Sequence, residues 1–219
     1  MKGLRLACPG NRLTLLCLGA HSDDIEIGLG GTLLEILAAG IDVTVHWWVF
    51  SANDQRADEA TDSANGFLAG HRPPLIQLGS FRDSYFPAER ATIKEWIEEH
   101  RSAVVPDVIF THRRDDAHQD HRIVSELTWN AFRNHLILEY EIPKWDGDLG
   151  RPNTYVPISA VALEKKIQLL MTHFGTQRSK DWFNAATFTG LASIRGIECR
   201  APEKFAEAFY MHKATLAFD

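Results

Sequence analysis

Four times along this chain a short apolar run is followed by a stretch with helical spacing, and that alternation leaves few folds open. Residues 13–18, Leu-Thr-Leu-Leu-Cys-Leu, are almost continuously apolar and end in Gly19. This is the pattern of a strand covered on both faces, as in a parallel sheet. A helix is expected over 28–39, with Leu33, Leu34, Ile36 and Leu37 turned inward and Gly40 as its stop. The same reading places strands at 41–50, 74–78 and 106–110, and helices at 54–69, 88–100 and 120–132. A fifth strand is expected at 135–142. Gly147, Gly150, Pro152 and Asn153 mark 143–157 as a loop, and helices follow at 159–171 and 180–194. Such alternation gives an α/β protein with a mainly parallel sheet and right-handed crossovers. At 219 residues, with no repeat and no linker, the chain reads as a single domain, 1–219.

In a doubly wound sheet of order 3-2-1-4-5, strands one and four are neighbours at the point where the winding reverses. Ligands bind beyond their C-terminal ends. Both ends carry acidic histidine motifs here: Ala20-His21-Ser22-Asp23-Asp24 after strand one, and His118-Gln119-Asp120-His121 after strand four. Three protein ligands of imidazole and carboxylate type, with a position left open, are what a catalytic zinc uses. A tight turn can aim His21 and Asp24 at one point and Asp23 elsewhere. His118 and His121, three apart at a helix start, share a face. The motifs therefore suit a divalent metal held by His21, Asp24 and His121, whose charge would bring a bound water's pKa toward neutrality. Asp23 is then placed to take the water's proton, and His118 to stabilise an oxyanion or protonate a leaving group. Asp120 is expected to accept the ring N–H of His118 and raise its basicity. Plain helix capping by Asp23 or Asp120 competes with each assignment singly. Four such residues at two adjoining strand ends favour the metal site.

Composition narrows the partners. Charged residues make up 24% and the net charge is −6, which argues against the basic face a nucleic-acid binder needs. No apolar run approaches the length of a membrane span, and no apolar segment of secretory type follows Lys2 and Arg5. Cys8, Cys17 and Cys199 form neither a close pair nor a metal-type spacing, and their odd number points to a reducing compartment. The expected location is the cytoplasm, and a homo-oligomer is compatible with this composition.

The two motifs carry a family resemblance. Ala20-His21-Ser22-Asp23-Asp24, followed by Gly28-Leu29-Gly30-Gly31, is similar to the Ala-His-Pro-Asp-Asp-Glu and Gly-x-Gly-Gly opening of the PIG-L / LmbE-like deacetylases. Asp116-Ala117-His118-Gln119-Asp120-His121 resembles their Asp-x-His-x-Asp-His signature. Ser22 stands where the family has proline. Ile25 stands where glutamate is commonest, with Glu26 one place later. The resemblance implies a Rossmann-like three-layer fold and a mononuclear Zn²⁺ site, with ferrous iron an alternative. It also implies His21, Asp24 and His121 as ligands, Asp23 as general base and His118 as electrophilic or acid catalyst. The implied activity is hydrolysis of a carbon–nitrogen amide bond, removing acetyl from an N-acetylated amino sugar or its conjugate. Arg56, in an Arg-x-x-Glu-Ala helix, and Asp83, in an acidic loop, resemble substrate contacts, while His173-Phe174-Gly175-Thr176-Gln177 resembles a C-terminal histidine stretch. A metal-dependent amidase of a thiol conjugate and a non-catalytic metal-binding module are the alternatives. Asp23 and His118 speak against the module, because a pure binder needs no base beside its metal. Arg113, Arg114 and Arg122 read as a solvated rim or as anchors for a substrate anion, and residues 144–153 as a loop that shapes specificity or an oligomer contact.

Overall fold

The computed structural model describes residues 3–215. Its sheet has seven strands in the order β3-β2-β1-β4-β5-β7-β6. β1 (Arg12–His21), β2 (Asp42–Ser51), β3 (Leu75–Leu78), β4 (Val108–His112) and β5 (Leu136–Tyr140) run parallel. The expected order 3-2-1-4-5 is present, with β1 and β4 side by side. An antiparallel pair, β6 (Thr154–Ile158) and β7 (Phe205–Met211), extends the β5 edge. Neither strand is expected from the sequence. The loop expected over 143–157 gives way to β6 at Thr154, and Pro157 is tolerated because it lies on the edge strand, where a missing N–H costs no ladder bond.

The apolar runs are continuous because each strand is covered on both sides. Leu13, Leu15 and Cys17 of β1 pack with Val45 and Trp47 in one core layer. Leu16, Leu18 and Ala20 pack with Trp48 and Phe50 in the other. Trp47 and Trp48 thus serve opposite faces, as alternation along a strand requires. The first layer is closed by α1 (Asp24–Ala38), α2 (Gln55–Phe67), α5 (Ala160–His173) and α6 (Ala185–Cys199). The second is closed by α3 (Phe86–Arg101) and α4 (Gln119–Ala131). The result is the expected three-layer α/β architecture. Among the described residues, no helix is long and apolar enough to cross a membrane.

The glycines of α1 are spacers for close packing. A Cβ on Gly28 would fall 2.3 Å from the Tyr140 ring, and one on Gly30 would fall 2.7 Å from Phe67. Gly31 leaves room for a buried ion pair: Glu207 of β7 accepts the amides of Gly31 and Thr32, at 2.8 and 2.6 Å. Lys166 of α5 donates to Glu207 at 2.6 Å and to the carbonyl of Ile27 at 2.7 Å. The last strand is thereby fastened to the middle of the first helix.

Candidate functional site

The first motif is a strand–turn–helix. β1 ends at His21, and α1 begins at Asp24, not at the expected Gly28. The earlier start sets Asp24 in the first helical turn, where its Oδ2 accepts the backbone N–H of His21 at 2.7 Å. Asp23 occupies the N-cap position but makes no capping bond. Its Oδ1 instead accepts Arg56 Nη2 at 2.8 Å. In the second motif the capping residue is His118, whose Nδ1 accepts the Asp120 N–H at 3.3 Å. The helix-cap alternative therefore describes neither aspartate.

The two turns bring His21, Asp24 and His121 together. His21 Nδ1 lies 3.3 Å from His121 Nε2 and 3.3 Å from Asp24 Oδ2, while His121 Nε2 lies 3.5 Å from Asp24 Oδ1. Donors about 2.0–2.1 Å from a common tetrahedral centre stand about 3.3–3.4 Å apart. The donor set and its spacing thus fit a divalent cation. His112, Asp116 and His121 form a second cluster, and His21, Asp83, His118 and Asp120 a third. In these, Asp116 Oδ1 and both oxygens of Asp120 accept backbone amides, whereas in the first cluster Oδ2 of Asp24 accepts one and Oδ1 faces His121. The surroundings are acidic. Besides histidines, Asp23, Asp24, Asp83, Asp116 and Asp120 face two cationic side chains, Arg56 and Lys144, among the described residues.

Three supporting residues have no role assigned from the sequence. His112, at the tip of β4, is fully buried, and its ring stacks on His121 at 3.9 Å and 16°. Its Nε2 accepts the Ala20 N–H at 2.9 Å and lies 3.3 Å from the Tyr140 hydroxyl. Asp116, which opens the second signature, meets His121 Nδ1 at 3.0 Å and so orients that imidazole. Lys144, its side chain 7% exposed, reaches Asp116 Oδ1 at 3.0 Å. A histidine two residues past an apolar run is the available signal for His112. Lys144 comes from a distant loop and has none.

The contact expected between Asp120 and the His118 ring is not made. Asp120 accepts the amides of Ser84 and Phe86, at 2.6 and 3.1 Å, and stands 3.4 Å from His21 Nε2. Nor is the basicity of His118 raised. Burial and then the neighbouring His121 and His21 push its pKa down. His21 behaves oppositely: burial opposes its charge, but contacts with Asp120, Asp24 and Asp83 outweigh that and hold its pKa well above the ordinary value. Asp24 is pulled well below the usual carboxylate range; burial opposes this, and His121 and His112 prevail.

Asp83 lies at the mouth, 67% exposed, with Oδ1 3.1 Å from His21 Nε2. Arg56 points at Asp23 and also meets Thr176 Oγ1 at 3.2 Å and Glu59 at 3.5 Å, so its guanidinium is engaged by protein groups. His173 abuts Gly66 of α2 and belongs to none of the three clusters. Arg114 and Arg122 line a groove of about 420 Å³ on the outer face of α4, with Trp129 and Ile123.

Two imidazoles and a carboxylate thus converge at the switch point of a doubly wound sheet, as a group that could hold a metal ion. The chain matches the PIG-L family, described as GlcNAc-PI de-N-acetylase, over residues 16–132, and it belongs to that family. No curated protein matches it in sequence. Solved structures share the fold at low identity. A conserved protein of Thermus thermophilus is 19% identical with a TM-score of 0.67, covering 94% of this chain and 97% of that one. The N,N'-diacetylchitobiose deacetylase of Pyrococcus horikoshii is 19% identical with a TM-score of 0.62, covering 90% and 83%. The 4-carboxy-2-hydroxymuconate hydratase of Pseudomonas putida is 16% identical with a TM-score of 0.76, covering 94% and 99%. One frame carries both a deacetylase and a hydratase, so function has to be argued from the site.

Proposed function

We propose that the protein is a metal-dependent hydrolase that removes the acetyl group from an N-acetylated amino sugar or amino-sugar conjugate. The observation that carries this is the convergence of His21 Nδ1, His121 Nε2 and the two oxygens of the Asp24 carboxylate, with contacts of 3.3 to 3.5 Å, beside Asp23 on the same turn. Membership of the PIG-L family supports the amide of an acetylated sugar as the target. His21, Asp24 and His121 would hold the cation, zinc or ferrous iron, which when bound supplies Lewis acidity toward water and carbonyl oxygen. Three unpaired cysteines, Cys8, Cys17 and Cys199, favour a cytoplasmic setting.

The remaining chemistry falls to the chain's own groups. Arg56 fixes Oδ1 of Asp23, which leaves Oδ2 to take a proton from the attacking water and pass it to the leaving nitrogen. His118 accepts the Asp120 amide at Nδ1, so its ring proton is on Nε2. Its lowered pKa keeps the ring neutral near pH 7. Of the two roles open to it, this supports the oxyanion role: a neutral N–H donor for the charge that grows on the carbonyl oxygen. Asp120 acts as a positioning residue, clamping the 84–86 backbone beside His21. Asp83, exposed at the mouth, is the candidate acceptor for a sugar hydroxyl. Arg56 orients the base, and its contact with substrate runs through Asp23.

The test is release of acetate and primary amine by metal-loaded protein from a panel: N-acetylglucosamine, N,N'-diacetylchitobiose, and nucleotide- and lipid-linked N-acetylglucosamine. Release from at least one member, lost in Asp23→Asn, is expected. Amine release from thiol conjugates alone would replace this reading with the amidase. Metal binding without turnover of any amide would leave a binding module.

A further inference from the structure

Two loops are anchored to residues of the candidate centre or their neighbours. The first, 143–153, is held near His121. Lys144 reaches Asp116 at 3.0 Å and Asp148 at 2.8 Å, and Asp148 accepts the Ala117 amide at 2.7 Å. Arg113 donates to the Asp148 carbonyl, and Arg195 donates to the Gly150 carbonyl at 3.2 Å. The second loop, 174–184, is held near Asp23: Thr176 meets Arg56, which holds Asp23, and donates to Glu59 at 2.6 Å. The loops meet where the Trp145 indole N–H donates to Asp181 Oδ1 at 2.6 Å and the Trp145 and Trp182 rings stand perpendicular, centroids 6.0 Å apart at 86°.

Trp145 is nevertheless 67% exposed. Unlike a freely mobile surface side chain, this indole is tethered at its polar edge and carried by a loop with anchors of its own. With the N–H engaged, what the exposed indole offers a ligand is apolar ring surface. Lys180 and Asp181 supply polar groups beside it, Lys180 Nζ lying 5.5 Å from the Trp182 ring centre. A pyranose has the matching form: an apolar C–H face with hydroxyls around its rim. The platform is also pre-organised, so little ordering entropy is lost on binding.

We propose that Trp145 is the floor of a second carbohydrate subsite, on which the sugar ring linked to the N-acetylated residue stacks, with Asp181 holding the indole in place. This rests on the deacetylase reading and adds that the preferred substrate has at least two sugar units. Trp145 is then a specificity-determining residue for the distal sugar, remote from the reacting atoms.

Two measurements separate this subsite from the activity it builds on. The first compares kcat/KM for N,N'-diacetylchitobiose and for N-acetylglucosamine in wild type, Trp145→Ala, Trp145→Phe and Asp181→Ala. Trp145→Ala should lower the disaccharide-to-monosaccharide ratio about tenfold, the worth of one aromatic stacking contact, through KM rather than kcat. Trp145→Phe should restore part of the loss, and Asp181→Ala should resemble Trp145→Ala more weakly. An unchanged ratio in Trp145→Ala overturns the proposal. The second follows tryptophan fluorescence of metal-free protein titrated with N,N'-diacetylchitobiose. A saturable change that disappears in Trp145→Ala upholds the subsite even if no acetate is ever released, in which case the deacetylase reading alone fails. Acetate release with a titration identical in wild type and variant removes the subsite and leaves the activity standing.

Discussion

Gly28→Ala should show how tightly the fold braces the candidate centre. A methyl at Gly28 would lie 2.3, 2.5 and 2.9 Å from Cδ2, Cγ and Cε2 of Tyr140. Because Cγ roots the ring, rotation about χ2 gives no escape, and either the ring or α1 has to shift. Tyr140 is fully buried, and its hydroxyl donates to the Leu18 carbonyl at 2.5 Å. Overpacking of this kind costs about 1–3 kcal/mol. Breaking the buried hydroxyl contact costs about 1–3 kcal/mol more. The better helix propensity of alanine returns about 1 kcal/mol. The net loss is centred near 3 kcal/mol, or a fall in Tm of about 6–12 °C at this chain length. Gly190→Ala is the control: it lies within α6, nothing stands within 4 Å of its Cβ position, and it should gain about 0.5–1 kcal/mol. Calorimetry on metal-free protein measures both. Because Tyr140 touches His112 and His112 stacks on His121, Gly28→Ala should also weaken metal retention against a chromophoric chelator. A Gly28→Ala variant that melts with the wild type, or a Gly190→Ala variant that loses as much, would refute the account of α1 packing.

Other perturbations have equally definite outcomes. Asp23→Asn should keep its metal and lose about 10²–10⁴-fold in rate, whereas alanine at His21, Asp24 or His121 should lose metal as read by elemental analysis; metal loss in Asp23→Asn would make it a ligand. Metal supplied at about a hundred times its Kd should stabilise the protein by about 2.7 kcal/mol. That shift in Tm should vanish on chelation and be absent from His121→Ala. Burial, opposed by Ser63, holds the pKa of Glu26 well above the carboxylate range. Folded protein therefore keeps this proton when unfolded chain has released it, and the stability it confers is full below about pH 4.3 and fades as pH rises through the folded value. Glu26→Gln should accordingly gain in Tm relative to wild type as pH is raised from 4 to 8, and a constant difference across that range would contradict the assignment.

The parallel half of the fold is legible because strands covered on both faces spell themselves as unbroken apolar runs. The order β3-β2-β1-β4-β5 then sets the two histidine motifs side by side before any distance is known. The antiparallel pair is hidden by physics of a different kind. β6 is a half-exposed edge strand containing Pro157, and β7 carries Glu207, a charge made tolerable only by Lys166 and two helix amides far away in sequence. The same limit applies to the site. His21, Asp24 and His121 sit on local motifs with ligand spacing, and the structure brings them together. The link from Asp120 to His118 follows from adjacency alone, yet Asp120 turns toward the 84–86 backbone, whose amides no inspection of 118–121 could place there. Lys144 lies 28 positions from Asp116, and only the folded loop brings them together.

The clasp between Glu207 and α1 also bears on the order in which the protein is assembled. The partners are 175 and 176 residues apart, so the helix that presents Asp24 must wait for residue 207 to leave the ribosome before its middle is secured. Until then the amides of Gly31 and Thr32 and the carbonyl of Ile27 lack the partners that β7 and α5 bring, in a segment weakened by three glycines. A nascent chain ending at residue 132, where the family match ends, would thus carry every candidate ligand and still hold them loosely. Completion of β7 is the step at which the candidate ligands gain a fixed frame.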